Sequence, residues 1–270
     1  MGIECIFNHK NWVVRRVVFM VLFFVSVIPG HAQTVIGTPG LMNVPTADMR
    51  PAGTFDGGVS FMQKGLLFDH YYKKRSSTSK KAIEQEDYNT FLFNVSFTPF
   101  SWVELDYRET LIRRQKSGTD THAENSILDR SWSVRVQPLK EGKYWPAVVV
   151  GGNDLFTSGS LSGTKGGTSS YAAVYGVVSK HIPLQNIGIF EATVGYARPI
   201  KEGKTYDGVM GGLSFAPAFF PDMRVMGEYD TRGCNVGLGA FLFKHLNVTC
   251  FTREFKGFNA TVSYQYTISY

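Results

Sequence analysis

The feature that most constrains this chain is a strict two-residue alternation, clearest over residues 258–270, FNATVSYQYTISY. Phe258, Ala260, Val262, Tyr264, Tyr266, Ile268 and Tyr270 fall on one face, and Asn259, Thr261, Ser263, Gln265, Thr267 and Ser269 on the other. Successive side chains of a strand point to opposite faces, so the segment reads as a strand with one apolar and one polar side. A half-buried strand of a soluble sheet carries the same alternation, so the rest of the chain must discriminate.

Period-two segments bounded by turn residues recur about twelve times, roughly at 54–62, 90–98, 102–110, 128–137, 144–152, 169–180, 187–198, 207–215, 222–230, 233–243, 245–253 and 258–270, and none has helical periodicity. The links alternate in length. Those at 63–89, 111–127 and 153–168 are long and polar, whereas Pro99 to Ser101, Pro138 to Lys143, His181 to Asn186, Ala216 to Pro221 and Lys244 are short. Long outer loops and short periplasmic turns are the asymmetry of a transmembrane barrel, and a soluble sandwich has no reason to adopt it.

The faces sort in the same sense. Phe91, Phe93, Val95 and Phe97, or Val236, Leu238, Ala240 and Leu242, make apolar outer sets. Their neighbours supply a candidate lumen lining of Glu104, Asp106, Arg108, Arg135, Glu191, Arg224, Glu228, Asp230 and Arg253. A charge on the lipid face at the bilayer midplane costs about 2–4 kcal/mol, so a barrel must sort its residues this way. Within the lining, Glu104 or Asp106 is expected to pair with Arg135, and Glu228 or Asp230 with Arg253. Two segments resist assignment: PAVVVGG and YAAVYGVV, in strands 144–152 and 169–180, are apolar on both faces.

At the N-terminus, Lys10, Arg15 and Arg16 precede an apolar run from Val17 to Ile28 and a small-residue exit at Gly30-His31-Ala32. This is the layout of a secretory signal peptide over 1–32, too short to span a bilayer as a helix. Removing 32 of 270 residues leaves 238. Three of the 28 basic and one of the 22 acidic residues leave with the leader, so the remainder carries a net charge of +4. That excess is mild, and no basic and aromatic cluster argues for nucleic acid. Residues 33–53 contain Pro39, Pro45 and Pro51, which oppose an extended ladder, so they read as an ordered periplasmic or intraluminal segment that narrows the pore, ahead of a barrel over 54–270. Cys234 and Cys250 fall at outward parity and read as small apolar residues.

The closing strand ending in Tyr264, Tyr266, Ile268 and Tyr270 resembles the barrel-assembly signal of bacterial outer-membrane proteins. GTPGLMNVPTADMRPAGTF, Gly37 to Phe55, resembles the opening motif of the YjbH-type exopolysaccharide biosynthesis proteins, carried here by Gly40, Leu41, Pro45, Thr46, Ala47 and Gly53. PAVVVGGNDLFTSG (146–159) followed by SSYAAVYGVVSK (169–180) is similar to that family's apolar strand, Asn/Asp-containing turn and Ser-Lys strand. GVMGGLSF (208–215) and VMGEYD (225–230) resemble its later elements. The resemblance implies a non-catalytic outer-membrane barrel in exopolysaccharide or capsule biosynthesis or export, with a polar lumen as candidate conduit. It also implies partners: outer-membrane lipids, the assembly machinery, and, as candidates, surface polysaccharide and other export proteins. No cofactor is expected.

Two other readings stay open. An outer-membrane lipid hydrolase or protease needs a histidine near a nucleophile and an orienting acid. His70 and His122 lie in long loops, while His181 and His245 are expected in periplasmic turns. GTKGGTS (163–169) lacks the spacing of a phosphate loop, and no histidine and cysteine spacing suggests a metal. A structural or adhesive barrel would work through loops such as DHYYKKRSSTSKK (69–81), which mixes aromatic and basic residues.

Overall fold

Alternation between outward apolar and inward polar residues builds a closed barrel. The computed structural model describes residues 32–64, 89–113, 126–157, 171–200 and 206–268, which contain twelve strands and no helix. They are β1 (Thr54–Met62), β2 (Thr90–Phe100), β3 (Val103–Arg113), β4 (Ser126–Leu139), β5 (Ala147–Thr157), β6 (Ala173–Leu184), β7 (Gly188–Pro199), β8 (Gly208–Pro217), β9 (Met223–Tyr229), β10 (Cys234–Leu242), β11 (Leu246–Arg253) and β12 (Phe258–Thr267). Each strand pairs antiparallel with its sequence neighbours, and β1 pairs with β12 to close the ring. The seam runs from Thr54 opposite Thr267 to Met62 opposite Asn259. Closure removes every free sheet edge.

The register explains the faces. In β2, Phe91, Phe93 and Val95 point out while Thr90, Leu92, Asn94 and Ser96 are buried inside. On β9 and β10, Val225, Tyr229, Val236 and Leu238 are outward and exposed, against inward Met226, Glu228 and Asn235. Exposed aromatics gather at the end carrying the short turns: Phe100, Trp102, Tyr144, Trp145, Phe219, Phe220 and Phe243. Length asymmetry among the links is confined to the first half of the barrel. The links at 230–233 and 254–257 are as short as the turns at the opposite end.

Two expectations shift. β5 runs to Thr157, so NDLF is strand and not turn. A register irregularity in the β4–β5 pairing, with Asp154 at φ 51°, buries Asn153 and Asp154 on the same side. His181 lies within β6, opposite Glu191 of β7, because the hairpin pairs as far as Leu184 and Gly188. Of the expected leader only Ala32 is among the described residues, and the loops holding His70, His122 and GTKGGTS lie outside them.

Residues 32–53 fill the inside of the ring. Almost all of this segment is buried, and it bonds to inward side chains of strands right around the barrel. It folds on itself through short backbone bonds, Thr34 N to Thr38 O and Leu41 N to Val44 O among them, and through bridges pairing Gln33 with Pro39 and Gly40 with Pro45. Its apolar side, Val35, Leu41, Met42, Val44 and Ala47, joins one core with Val149, Tyr175, Val177, Met210, Met226 and Phe251 of the wall. That core settles the two strands that are apolar on both faces. Ala147 and Val149 of β5, and Tyr175 and Val177 of β6, point inward against this segment and not into water.

Candidate functional site

The interior is built around the backbone of the segment GLMNVPTA, residues 40–47. Proline and the tight turns leave its peptide groups without ladder partners, and wall side chains supply them. Glu228 of β9 accepts three backbone N–H groups, from Met42 at 3.0 Å, Asn43 at 2.8 Å and Val44 at 3.0 Å. Asn235 of β10 donates to the same carboxylate at 2.8 Å. Asn43 also donates from its side chain to Asp230 at 2.8 Å, and Tyr206 donates to the Asn43 carbonyl at 3.2 Å.

Arg135 of β4 does the converse for carbonyls. Its guanidinium donates to Pro39 O at 3.1 Å, Thr46 O at 2.5 Å and Asp48 O at 3.0 Å, and stands 3.6 Å from Glu104. Gln137 donates to Ala47 O at 2.7 Å, and the Ala47 N–H donates to Ser179 at 2.8 Å. Glu104 and Arg135 are both 0% exposed, a value an open aqueous lumen could not give. Arg50 extends the charge network, 3.0 Å from Glu104 and 3.5 Å from Asp56, with Asp106 as a further electrostatic neighbour.

Shape complements charge at two glycines. A Cβ on Gly212 of β8 would stand 2.5 Å from Leu41 Cδ1 and 2.5 Å from the Gly227 carbonyl, so the bare backbone makes the seat for Leu41. A Cβ on Gly40 would meet Thr34 and the Val44 carbonyl at 2.3 and 2.5 Å, so the segment's own turn also needs glycine.

All nine candidate lining residues point into the barrel. Glu104, Asp106, Arg108, Arg135, Glu191, Glu228 and Asp230 are buried, and Arg224 and Arg253 are nearly so. Arg135 pairs with Glu104, and Arg253 with Asp230. Arg108 instead turns to Asp154, at 2.9 Å, under the Tyr171 ring, and the Tyr171 N–H donates to Asp154 at 2.8 Å. Arg224 lies 3.5 Å from Glu191. Gly53 leads into β1, donating its N–H to the Thr98 carbonyl of β2 and accepting the Ile268 N–H across the seam. Tyr264, Tyr266 and Ile268 are outward and exposed, and Tyr270 lies outside the described residues.

At the mouth with the short turns, Glu141 accepts from Lys180 Nζ at 2.8 Å and from the His181 backbone N–H at 2.9 Å, and its other oxygen is 2.6 Å from His181 Nδ1. Partial burial pushes the Glu141 carboxyl up, but the bonds from Lys180 and His181 outweigh it and hold it below the usual range. Asp48 and Glu191 approach the other side of the same ring. Neither Asp154 nor this mouth cluster was marked by sequence spacing. Only the hairpin register places His181 against Glu191, and only the course of the N-terminal segment brings Asp48 to them.

The stretches that carry the family resemblance therefore meet in space. GLMNVPTA is held by Glu228 and Asp230 of VMGEYD, seated on Gly212 of GVMGGLSF, and bonded by Ser179 of SSYAAVYGVVSK. A search among curated proteins returns no match. The family model described as Exopolysaccharide biosynthesis protein YbjH matches residues 77–231, which span β2 to β9 and take in the last three of these stretches but not Gly37 to Phe55. That match covers more than half of the chain, and the protein belongs to the YjbH exopolysaccharide biosynthesis family.

Proposed function

We propose that this protein is a non-catalytic outer-membrane barrel that serves exopolysaccharide secretion as a conduit closed at rest by its own N-terminal segment. Family membership supplies the exopolysaccharide role. The outward sheath of Phe91, Val95, Val225 and Leu238, ending in aromatics at the short-turn rim, favours a lipid surround. The observation that carries the closed state is the grip of Glu228 and Arg135 on the backbone of residues 39–48. A sugar chain crosses this barrel only when that segment leaves, and the lining it uncovers, Glu104, Asp106, Arg135 and Glu228, is rich in groups that exchange hydrogen bonds with hydroxyls.

Planar-bilayer recording tests this. The refolded barrel is expected to be nearly silent, and a Glu228→Ala, Arg135→Gln variant to open to a steady conductance that added surface polysaccharide blocks. Cross-linking an Ala47→Cys, Ser179→Cys pair, in a background with Cys234 and Cys250 changed to serine, should abolish opening. A double variant that folds yet stays silent contradicts the conduit. It would favour a closed scaffold acting through its long loops, a reading the filled lumen already supports.

A further inference from the structure

We propose that Asp48, His181 and Glu191 form a site for a first-row divalent cation, which staples the N-terminal segment to the barrel wall at the short-turn mouth. The inference rests on the geometry of the mouth and is independent of the polysaccharide role. One ligand atom from each residue lies within 4.8 Å of the other two. His181 Nε2 is 3.8 Å from Asp48 Oδ2 and 3.9 Å from Glu191 Oε2, too far for hydrogen bonds.

The orientation of the ring is what points to a cation. Glu141 holds Nδ1 at 2.6 Å and is itself fixed by Lys180 and the His181 N–H, so Nδ1 is committed to Glu141 and Nε2 is the ring atom left for a ligand. Nε2 then faces two carboxylates and hydrogen-bonds to neither, and a cation bound there takes the place of any proton on it. A metal-binding histidine is set up in this way, with its far nitrogen donating to a carboxylate that fixes tautomer and direction. Glu191 adds an independent sign: it is 2% exposed, Oε2, its oxygen nearest Nε2, takes the Ser214 hydroxyl at 2.8 Å and Arg224 at 3.5 Å, and Oε1 is buried without a hydrogen-bond partner, so the carboxylate keeps an uncommitted oxygen beside the ring.

One imidazole and two carboxylates form a nitrogen and oxygen set suited to Zn²⁺ or Mn²⁺, without the thiolates softer metals want. Tetrahedral zinc places its donors about 3.3 Å apart, so each carboxylate has to close on Nε2 by roughly half an ångström and the two carboxylates have to draw together as well. The His181 side chain is 28% exposed, which leaves a way in from the mouth and a position for water. Because Asp48 belongs to the inner segment while His181 and Glu191 belong to β6 and β7, occupation ties one to the other.

The test is zinc titration calorimetry on the untagged refolded barrel, with Co²⁺ as a spectroscopic substitute and heat-modified gel mobility as the check on folding. One equivalent should bind, Asp48→Asn, His181→Gln and Glu191→Gln should each weaken it at least tenfold, and His245→Gln should leave it unchanged. The Co²⁺ visible bands should be lost in His181→Gln, and Glu141→Gln, a positioning change, should weaken binding about tenfold. If a wall variant fails to fold, Asp48→Asn decides, since it alters only the inner segment. No zinc binding by the folded barrel, or unchanged affinity in Asp48→Asn, overturns the proposal.

Discussion

Glu228 and Met42 are separated by 186 positions in the chain, and the carboxylate of the first accepts the backbone N–H of the second at 3.0 Å. The same carboxylate takes the next two N–H groups, so one side chain of β9 sets the path of the inner segment. Side chains of residues 42–44 could vary without losing this contact. Its loss requires a change at Glu228 itself or a proline within 42–44, which removes a donor N–H.

Glu228→Ala should therefore release residues 42–44 while leaving the sheet closed. Bonds to a charged acceptor contribute about 1.5–3 kcal/mol each and are not additive, so a loss of roughly 3–5 kcal/mol in holding the segment is expected. Glu228→Gln, which keeps one acceptor oxygen, should lose less. Limited proteolysis checks this: cleavage within 40–50 should appear in Glu228→Ala well before any cleavage in β2 to β4.

Arg135→Lys separates geometry from charge. A guanidinium reaches Pro39, Thr46 and Asp48 carbonyls together, and a single ammonium cannot reproduce that fork. The charge opposite Glu104 survives, yet the segment should loosen by about 2 kcal/mol. The same proteolysis assay should rank Arg135→Lys between the wild type and Arg135→Gln.

Arg50 and Glu104 invite a double-mutant cycle. Arg50→Met takes the nearer cation from Glu104, leaving it Arg135 at 3.6 Å, removes the guanidinium beside buried Asp56, and should cost about 3–5 kcal/mol in thermal or denaturant unfolding. Adding Glu104→Gln should recover part of that loss, giving a coupling energy of about 1–3 kcal/mol.

Gly212→Ala should destabilise by about 1–3 kcal/mol, because the new methyl group meets both Leu41 and a rigid backbone carbonyl. Pairing it with Leu41→Ala should not restore the wild-type melting temperature. The Gly227 carbonyl cannot move aside as a leucine side chain can.

What the sequence disclosed follows from where each residue faces. Val236, Leu238 and Ala240 alternate cleanly with Asn235, Gly237 and Gly239, so β10 and its neighbours were legible with their sidedness. Val149, Tyr175 and Val177 broke the pattern because they face Leu41, Met42 and Val44, and periodicity cannot tell an apolar inner partner from lipid. The register irregularity at Asp154 left no sequence mark, and it moved NDLF from turn to strand. Arg135 with Glu104 was legible as a charge pair across β3 and β4. Its main partners, backbone carbonyls of residues 39, 46 and 48, were not, since any residue carries them.

The most direct test of the account is hydrogen exchange at the amides of Met42, Asn43 and Val44 in the refolded barrel in lipid. If residues 32–53 occupy the lumen as described, these three amides should be protected to the degree of the strand amides, and Glu228→Ala should expose them selectively. Exchange at the rate of a free peptide in the wild-type protein, with the strands still protected, would contradict a barrel closed by its own N-terminal segment.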